Sequence, residues 1–278
     1  LRPAARQAVR SGHHPCQRGV DGVDHLLVLR LELGVETVHL GLGGRAVLGL
    51  GAAAVLGREL GQPVIVDNRP GGNGVVGTES AARATPDGHT WCVLSVTNGA
   101  LNTYTIRRLP YDPVKDFAPI GHVAETPYIL VVPASHPARD LRGFMDWAAA
   151  NKGRVNYGSS GFGSSNHLSP ELLNGRYGLG LIHVPFRGGA PALQALLAGQ
   201  VQLMLENVPT LVAAAREGGI RPLAVTGGGR DPALPDVPTF AEAGVPGVVV
   251  EPWFGYMAPR GTPEAAVRRL NALFAEAL

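Results

Sequence analysis

No G-x-S-x-G elbow, H-E-x-x-H, P-loop ending in G-K-[ST] or paired C-x-x-C occurs in the sequence. The short motifs that announce a hydrolase, a zinc peptidase, a phosphate cradle or a redox thiol pair are therefore missing. Cysteine is scarce: Cys16 and Cys92 lie far apart, which reads as two unpaired thiols and leaves the redox compartment open. Charge is sparse too, at 17% of residues with a formal net charge of +2, so there is no basic field for nucleic acid. A small ligand fits this surface better than a polymer. No apolar run reaches the roughly 18 residues of a membrane span, and the opening LRPAARQAVRSGHHPCQRG lacks the apolar core of a secretion signal.

What is present is glycine, proline and apolar residues. The 38 glycines, 23 prolines and 45% hydrophobic content describe a loop-rich α/β protein, and 278 residues suffice for one large domain or for two lobes with a cleft between them. Residues 1–50 stand apart as an atypical segment. His13, His14 and Cys16 have no second pair at ligand spacing, so a disordered arm is the better reading than a metal site. Apolar residues from Asp24 to Leu50 keep neither a strand nor a helix period for long.

Regular alternation begins near Ala52. A helix ends at Gly61, PVIVDN is a strand, RPGGNGVVG a glycine-rich turn into TESAARATP, and TWCVLSV a strand ending in the polar loop TNGALN. Proline-punctuated extended runs at Phe117–Val123 and Tyr128–Val132 predict a crossing to a second lobe. The spacing of Leu141, Phe144, Met145 and Ala148 predicts one buried helix face. From Val155 onward, strand, loop and helix repeat as βαβ units do. The proline- and glycine-rich stretch from Gly227 to Pro252 reads as a loop returning over the first lobe, with a strand in WFGYMAPRGTP and an amphipathic helix after it.

The stretch VNYGSSGFGSSNHLSPELL, Val155 to Leu173, carries the most chemistry. Its glycines permit backbone angles and close approach that other residues cannot, and the following helix start leaves unpartnered N–H groups and partial positive charge. A carboxylate or phosphate suits such a loop; so does a plain serine-capped turn, and from this stretch alone both readings stand. Three other strand-end loops qualify. Thr97, Asn98 and Gly99 follow one strand. Phe186 and Arg187 precede two glycines and a helix, where Arg187 can add charge or stay a surface arginine. Glu206 and Asn207 end another strand, as ligand readers or as a helix cap. His167 near Ser160 or Ser164 gives an alternative hydrolase reading, with no orienting acid identified. A third reading is a cytosolic ligand-sensing domain.

Eight strings in order, GQPVIVDNRPGGNGVVG, ATPDGHTW, LPYDPVKDFAPI, NYGSSGFGSSNHL, HVPFRGGAPAL, LAGQVQLMLENVP, LAVTGGGRDPALPDVPTFAEAG and WFGYMAPRGTP, resemble the extracytoplasmic solute receptors of tripartite tricarboxylate transporters, the Bug or TctC-like family. The resemblance covers about three-quarters of the chain. It implies a type II periplasmic-binding-protein fold, with lobe 1 at 51–123 and 222–278 and lobe 2 at 124–221. It also implies a small organic acid or amino-acid ligand in the cleft, membrane transporter subunits as partners, a periplasmic location, no catalyst and no cofactor. Ligand contacts map onto Ser159, Ser160, Gly163, Ser164 and Ser165, onto Thr97, Asn98 and Gly99, and onto Glu206, where family members commonly have Asp.

Two departures shape the expectations. The family's signal peptide and its P-F-x-x-G-G-x-x-D loop have no counterpart in residues 1–50, which reads as a shifted frame or misassigned start rejoining the family near Ala52. The chain also ends at Leu278, within the helix after GTP. A first lobe lacking its central strand, with weakened stability and weakened or lost ligand affinity, is the expectation that follows.

Overall fold

The computed structural model describes residues 25–30, 37–39, 53 and 55–277. The readings of His13, His14 and Cys16, and of the point where the frame rejoins the family, lie outside them.

The described chain folds into two mixed sheets, each covered by helices. The first contains β1 (His25–Arg30), β2 (Thr37–His39), β3 (Ile65–Pro70), β4 (Thr90–Ser95), β5 (Phe117–Glu125) and β11 (Trp253–Pro259), in the order β2-β3-β1-β4-β11-β5. The second contains β6 (Tyr128–Pro133), β7 (Asn156–Ser159), β8 (Ile182–Pro185), β9 (Leu203–Asn207) and β10 (Ile220–Val225), in the order β10-β6-β9-β7-β8. Helix α1 covers residues 55–60. It is followed by α2 (Val75–Ala82), α3 (Asn102–Thr105), α4 (Leu141–Ala150), α5 (Ser165–Tyr177), α6 (Gly189–Leu197), α7 (Val208–Arg216) and α8 (Glu264–Ala277).

Strand alternation explains the layering. In β6, Tyr128, Leu130 and Val132 face one way and pack with Leu141 and Phe144 of α4 and Leu173 of α5. Ile129 and Val131 face the other way, onto Ala192 and Leu196 of α6 and Leu211 of α7. A strand buried on both faces runs apolar without a break, as YILVVP does. The first sheet repeats the device: Trp91 and Val93 of β4 meet Leu270 and Phe274 of α8, while Cys92 and Leu94 meet Ala81, Tyr111 and Phe117. Each such side chain contributes about 1.5–3 kcal/mol of burial free energy, so neither sheet can lose a covering helix cheaply. Cys92 is free and buried, and burial pushes its thiol pKa up.

Helix α4 matches its sequence pattern: Leu141, Phe144, Met145 and Ala148 are its buried residues, and Asp140 caps it by accepting from Gly143 N at 2.7 Å. Two expectations are corrected. The first sheet is not missing a central strand, because β1 lies between β3 and β4, antiparallel to both. The return to the first sheet does not begin at residue 222, which lies inside β10 and pairs with β6. Residues 226–252 make that return, and they cover the second lobe rather than the first: Phe240, Val245 and Val248 belong to its core, and Tyr177 donates to Pro246 O at 2.9 Å.

The two crossings meet at one place. Thr126 N donates to Pro252 O at 3.1 Å and Thr226 N to Tyr128 O at 2.8 Å. Residues between elements, such as these, are where a two-lobed fold can absorb a change in φ and ψ.

Candidate functional site

Four strand ends converge between the sheets. In the first lobe, β3 runs through Gly71–Gly74 into α2. Gly71, Gly72 and Gly74 have positive φ, and so does Asn73 at 56°, a conformation in which asparagine is the best-tolerated side chain after glycine. The left-handed turn points Asn73 across the gap, where its Nδ2 donates to Phe162 O of the second lobe at 2.5 Å. After β4, the turn over Thr97–Leu101 leads into α3, whose Thr105 and the adjacent Ile106 stand at the same gap.

In the second lobe, the glycine-serine loop between β7 and α5 is held by a side-chain network. Asn166 Oδ1 accepts from Ser160 N at 3.1 Å and Ser160 Oγ at 2.8 Å. Ser164 Oγ lies 2.6 Å from Asn166 Oδ1 and 2.6 Å from Gly161 O, its one proton serving either. Behind it, Asn166 Nδ2 donates to Glu206 Oε2 at 2.6 Å. The other carboxylate oxygen accepts from Asn207 N at 2.9 Å and Asn207 Nδ2 at 2.7 Å. A buried carboxylate that accepts from donors on both sides fixes the loop in one shape.

The lobes touch at a second point. Ser165 N donates to Thr97 Oγ1 at 3.2 Å, and Ser165 Oγ lies 3.1 Å from that hydroxyl and 2.5 Å from Tyr128 OH. Close approach accounts for two of the loop's glycines. A Cβ on Gly161 would stand 2.8 Å from Asn73 Oδ1, and one on Gly163 would stand 3.1 Å from Thr105 Cβ.

These contacts border a cavity of about 630 Å³ lined by Gly71, Gly72, Asn73, Thr105, Ile106, Ser160, Gly161, Phe162, Phe186 and Arg187. Arg187 is exposed and is the charged member of that lining, so the electrostatics favour an anion. Its volume lies within the usual range for small-molecule sites. Among the described residues no cluster of His, Cys, Asp or Glu is placed to hold a metal, and no helix is long and apolar enough to cross a membrane.

Of the residues singled out in the sequence, Ser160, Phe186 and Arg187 are on the cavity wall. Ser159, Gly163, Ser164, Ser165, Thr97 and Glu206 are buried and shape or lock the loops. Asn98 is spent inside the first lobe: its Oδ1 accepts from Ser95 N at 2.6 Å and Ser95 Oγ at 2.9 Å, and its Nδ2 donates to Thr78 Oγ1 at 3.0 Å. Gly99 makes room for Trp253, whose Cη2 would lie 2.7 Å from an added Cβ. Ser164 and His167 are engaged apart, since His167 Nδ1 accepts from Gly163 N at 3.0 Å. Sequence reasoning missed Gly71, Gly72, Asn73, Thr105, Ile106, Gly161 and Phe162 as wall residues. The signal for the first three was available, because RPGGNG is also a glycine-rich turn from strand to helix.

The family model described as tripartite tricarboxylate transporter family receptor, TctC, matches residues 51–278. The chain belongs to the TctC receptor family. A relative encoded in the tcbD-tcbE intergenic region of Pseudomonas sp. strain P51 is 40% identical over 218 residues, which is 78% of this chain and 65% of that protein. The chain thus spans just under two thirds of that relative's length. Among solved structures, Rpa4515 of R. palustris with adipate is similar at 36% identity and a TM-score of 0.83, covering 87% of this chain and 81% of that one. MatC of Rhodopseudomonas palustris with bound malate gives 36% identity and a TM-score of 0.81, covering 88% of this chain and 85% of that one. The two-lobed TctC fold therefore holds for this chain, from β3 to α8.

Proposed function

We propose that this TctC-family chain is a periplasmic solute-binding receptor that captures a small dicarboxylate between its lobes. It then presents that ligand, chemically unchanged, to a tripartite tricarboxylate-type transporter. The observation that carries the reading is the cavity of about 630 Å³ with Arg187 as its charged wall residue, bordered by two glycine-rich loops from opposite lobes. An arginine gives a charge-assisted donor to a carboxylate, while Ile106, Phe162 and Phe186 offer a short methylene chain an apolar wall. Two similar receptors carry adipate and malate, both chains with a carboxylate at each end.

Ligand capture follows from the inter-lobe bonds. Asn73 to Phe162 and Thr97 to Ser165 form only when the lobes are together. A ligand touching both walls favours that arrangement by its differential affinity for it. Ser160, Phe186 and Arg187 are the contacts we assign to the second lobe, with Gly71, Gly72 and Asn73 opposite them. A thermal-shift screen of the purified chain against adipate, malate, tricarboxylates, amino acids and aromatic acids tests the reading, since a ligand of the native state raises its apparent stability. A dicarboxylate should raise the melting temperature in a saturable way. Turnover of the bound acid, or a shift confined to uncharged compounds, would contradict the proposal.

A further inference from the structure

Beneath the glycine-serine loop lies a cluster that ligand capture leaves unused. His167 of α5 and His183 of β8 have ring centroids 3.9 Å apart. Phe162 covers them, 4.9 Å from His167, and Tyr157 of β7 flanks them, 5.0 Å from His183. Both imidazoles are tied to the loop. Gly163 N donates to His167 Nδ1 at 3.0 Å. Nε2 of His183 is 2.6 Å from Ser159 Oγ, a hydroxyl that also accepts from Gly161 N at 3.2 Å. The charged group facing the pair is Glu171 of α5, whose Oε1 accepts from Tyr157 OH at 2.7 Å. Across the gap the first lobe presents Asn73 and Thr105, both uncharged, to the loop.

A backbone N–H can only donate, so His167 Nδ1 holds Gly163 only while it keeps its lone pair. We propose that the His167–His183 pair is a proton-operated release for the glycine-serine loop: protonation of His167 Nδ1 turns the acceptor of the Gly163 N–H into a donor, frees Gly161 and Phe162 from their seat and weakens ligand binding. This regulation rests on the receptor reading of the same cavity. The proton goes to the ring nitrogen from solvent, and no bond between heavy atoms changes.

The direction is set by burial. Desolvation first, opposed by the Glu171 charge, holds His167 below the ordinary histidine value. Desolvation and then the neighbouring His167 push His183 down to about 4. For groups depressed in this way, the neutral pair's contribution is whole above the ordinary value of about 6.5 and is lost as pH falls below it. One proton taken up on release weakens binding by up to about tenfold between pH 7.5 and pH 5.5.

The test is amide hydrogen exchange of the full chain at pH 7.5 and pH 5.5, corrected for intrinsic rates, with adipate and malate affinities measured in parallel. His167→Asn serves as the comparison, because its Oδ1 can accept from Gly163 N and does not titrate. The expected result is that residues 158–166 lose protection at pH 5.5 in the native chain but not in His167→Asn. The native chain should also lose up to about tenfold more affinity than the variant, a difference that cancels protonation of the ligand itself. Unchanged loop protection in the native chain overturns the proposal even if the variant fails to fold, and so do identical pH responses. Absence of acid binding at pH 7.5 counts against the receptor reading alone, since loop exchange still decides the release.

Discussion

The two glycine-rich loops that face each other across the cavity are built on different principles. In the first lobe, Gly71–Gly74 takes its shape from backbone angles, with positive φ at each of its four residues and Asn73 reaching outward. In the second lobe, Ser160–Ser164 takes its shape from side chains behind it: Asn166, Glu206, His167 and His183 each hold a loop atom or its immediate partner. The first is a stiff lip shaped by torsion, whereas the second is a platform shaped by a buried polar network. Mutations behind the platform should therefore cost stability, and mutations at the lip should cost affinity.

The largest expected effect breaks the platform. Glu206→Ala leaves Asn166 Nδ2, Asn207 N and Asn207 Nδ2 without the carboxylate they share, in a residue only 5% exposed. The expected cost is about 3 kcal/mol, read as a fall in melting temperature of roughly 6–12 °C. A fall of less than a degree would remove the contrast between the loops.

Next, Gly161→Val tests the space between the loops. An added Cβ meets Asn73 Oδ1 of the other lobe at 2.8 Å, and φ of 150° disfavours any side chain. Backbone strain of about 1–3 kcal/mol is carried open or closed and lowers the melting temperature, whereas the clash with Asn73 exists only in the closed form, so dicarboxylate affinity should drop roughly tenfold or more. Calorimetric titration beside a thermal melt separates the two.

Arg187→Ala should weaken binding about five- to tenfold, a modest loss because the guanidinium is exposed and screened. The same titration at two salt concentrations should show the native chain's salt dependence reduced in the variant. The smallest effect sharpens the comparison at the lip. Asn73→Gly removes the bond to Phe162 O but relieves the left-handed backbone, so affinity should fall about two- to threefold while stability stays within about 0.5 kcal/mol.

How far the sequence disclosed this arrangement follows from the same contrast. Strand-to-loop-to-helix order and the buried face of α4 were legible because apolar periodicity records what each element buries locally. The family strings supplied the fold family and pointed to a carboxylate ligand, the basis of the proposal above. The opposite wall was only partly legible: RPGGNG showed a glycine-rich turn, but the meeting of Asn73 with Phe162, 89 residues away, depends on how the two lobes come together. Asn98 and Gly99 were placed among the ligand contacts by the family resemblance, since a polar turn after a strand end is a weak signal alone. Their actual neighbours, Thr78 and Trp253, are set by tertiary packing. Strand β1 was overlooked for a different reason. HLLVLR shows no alternation, so apolar periodicity carried no strand signal there.

The most direct measurement is calorimetric titration of the purified chain at pH 7.5 with adipate, malate and the dimethyl ester of adipate, which keeps the length and apolar surface of the acid but carries no charge. The expected result is saturable one-to-one binding of at least one of the two acids, with the ester failing to bind. Equal binding of adipate and its ester, or no heat from either acid with the native chain folded, would contradict a cavity built to take a dicarboxylate.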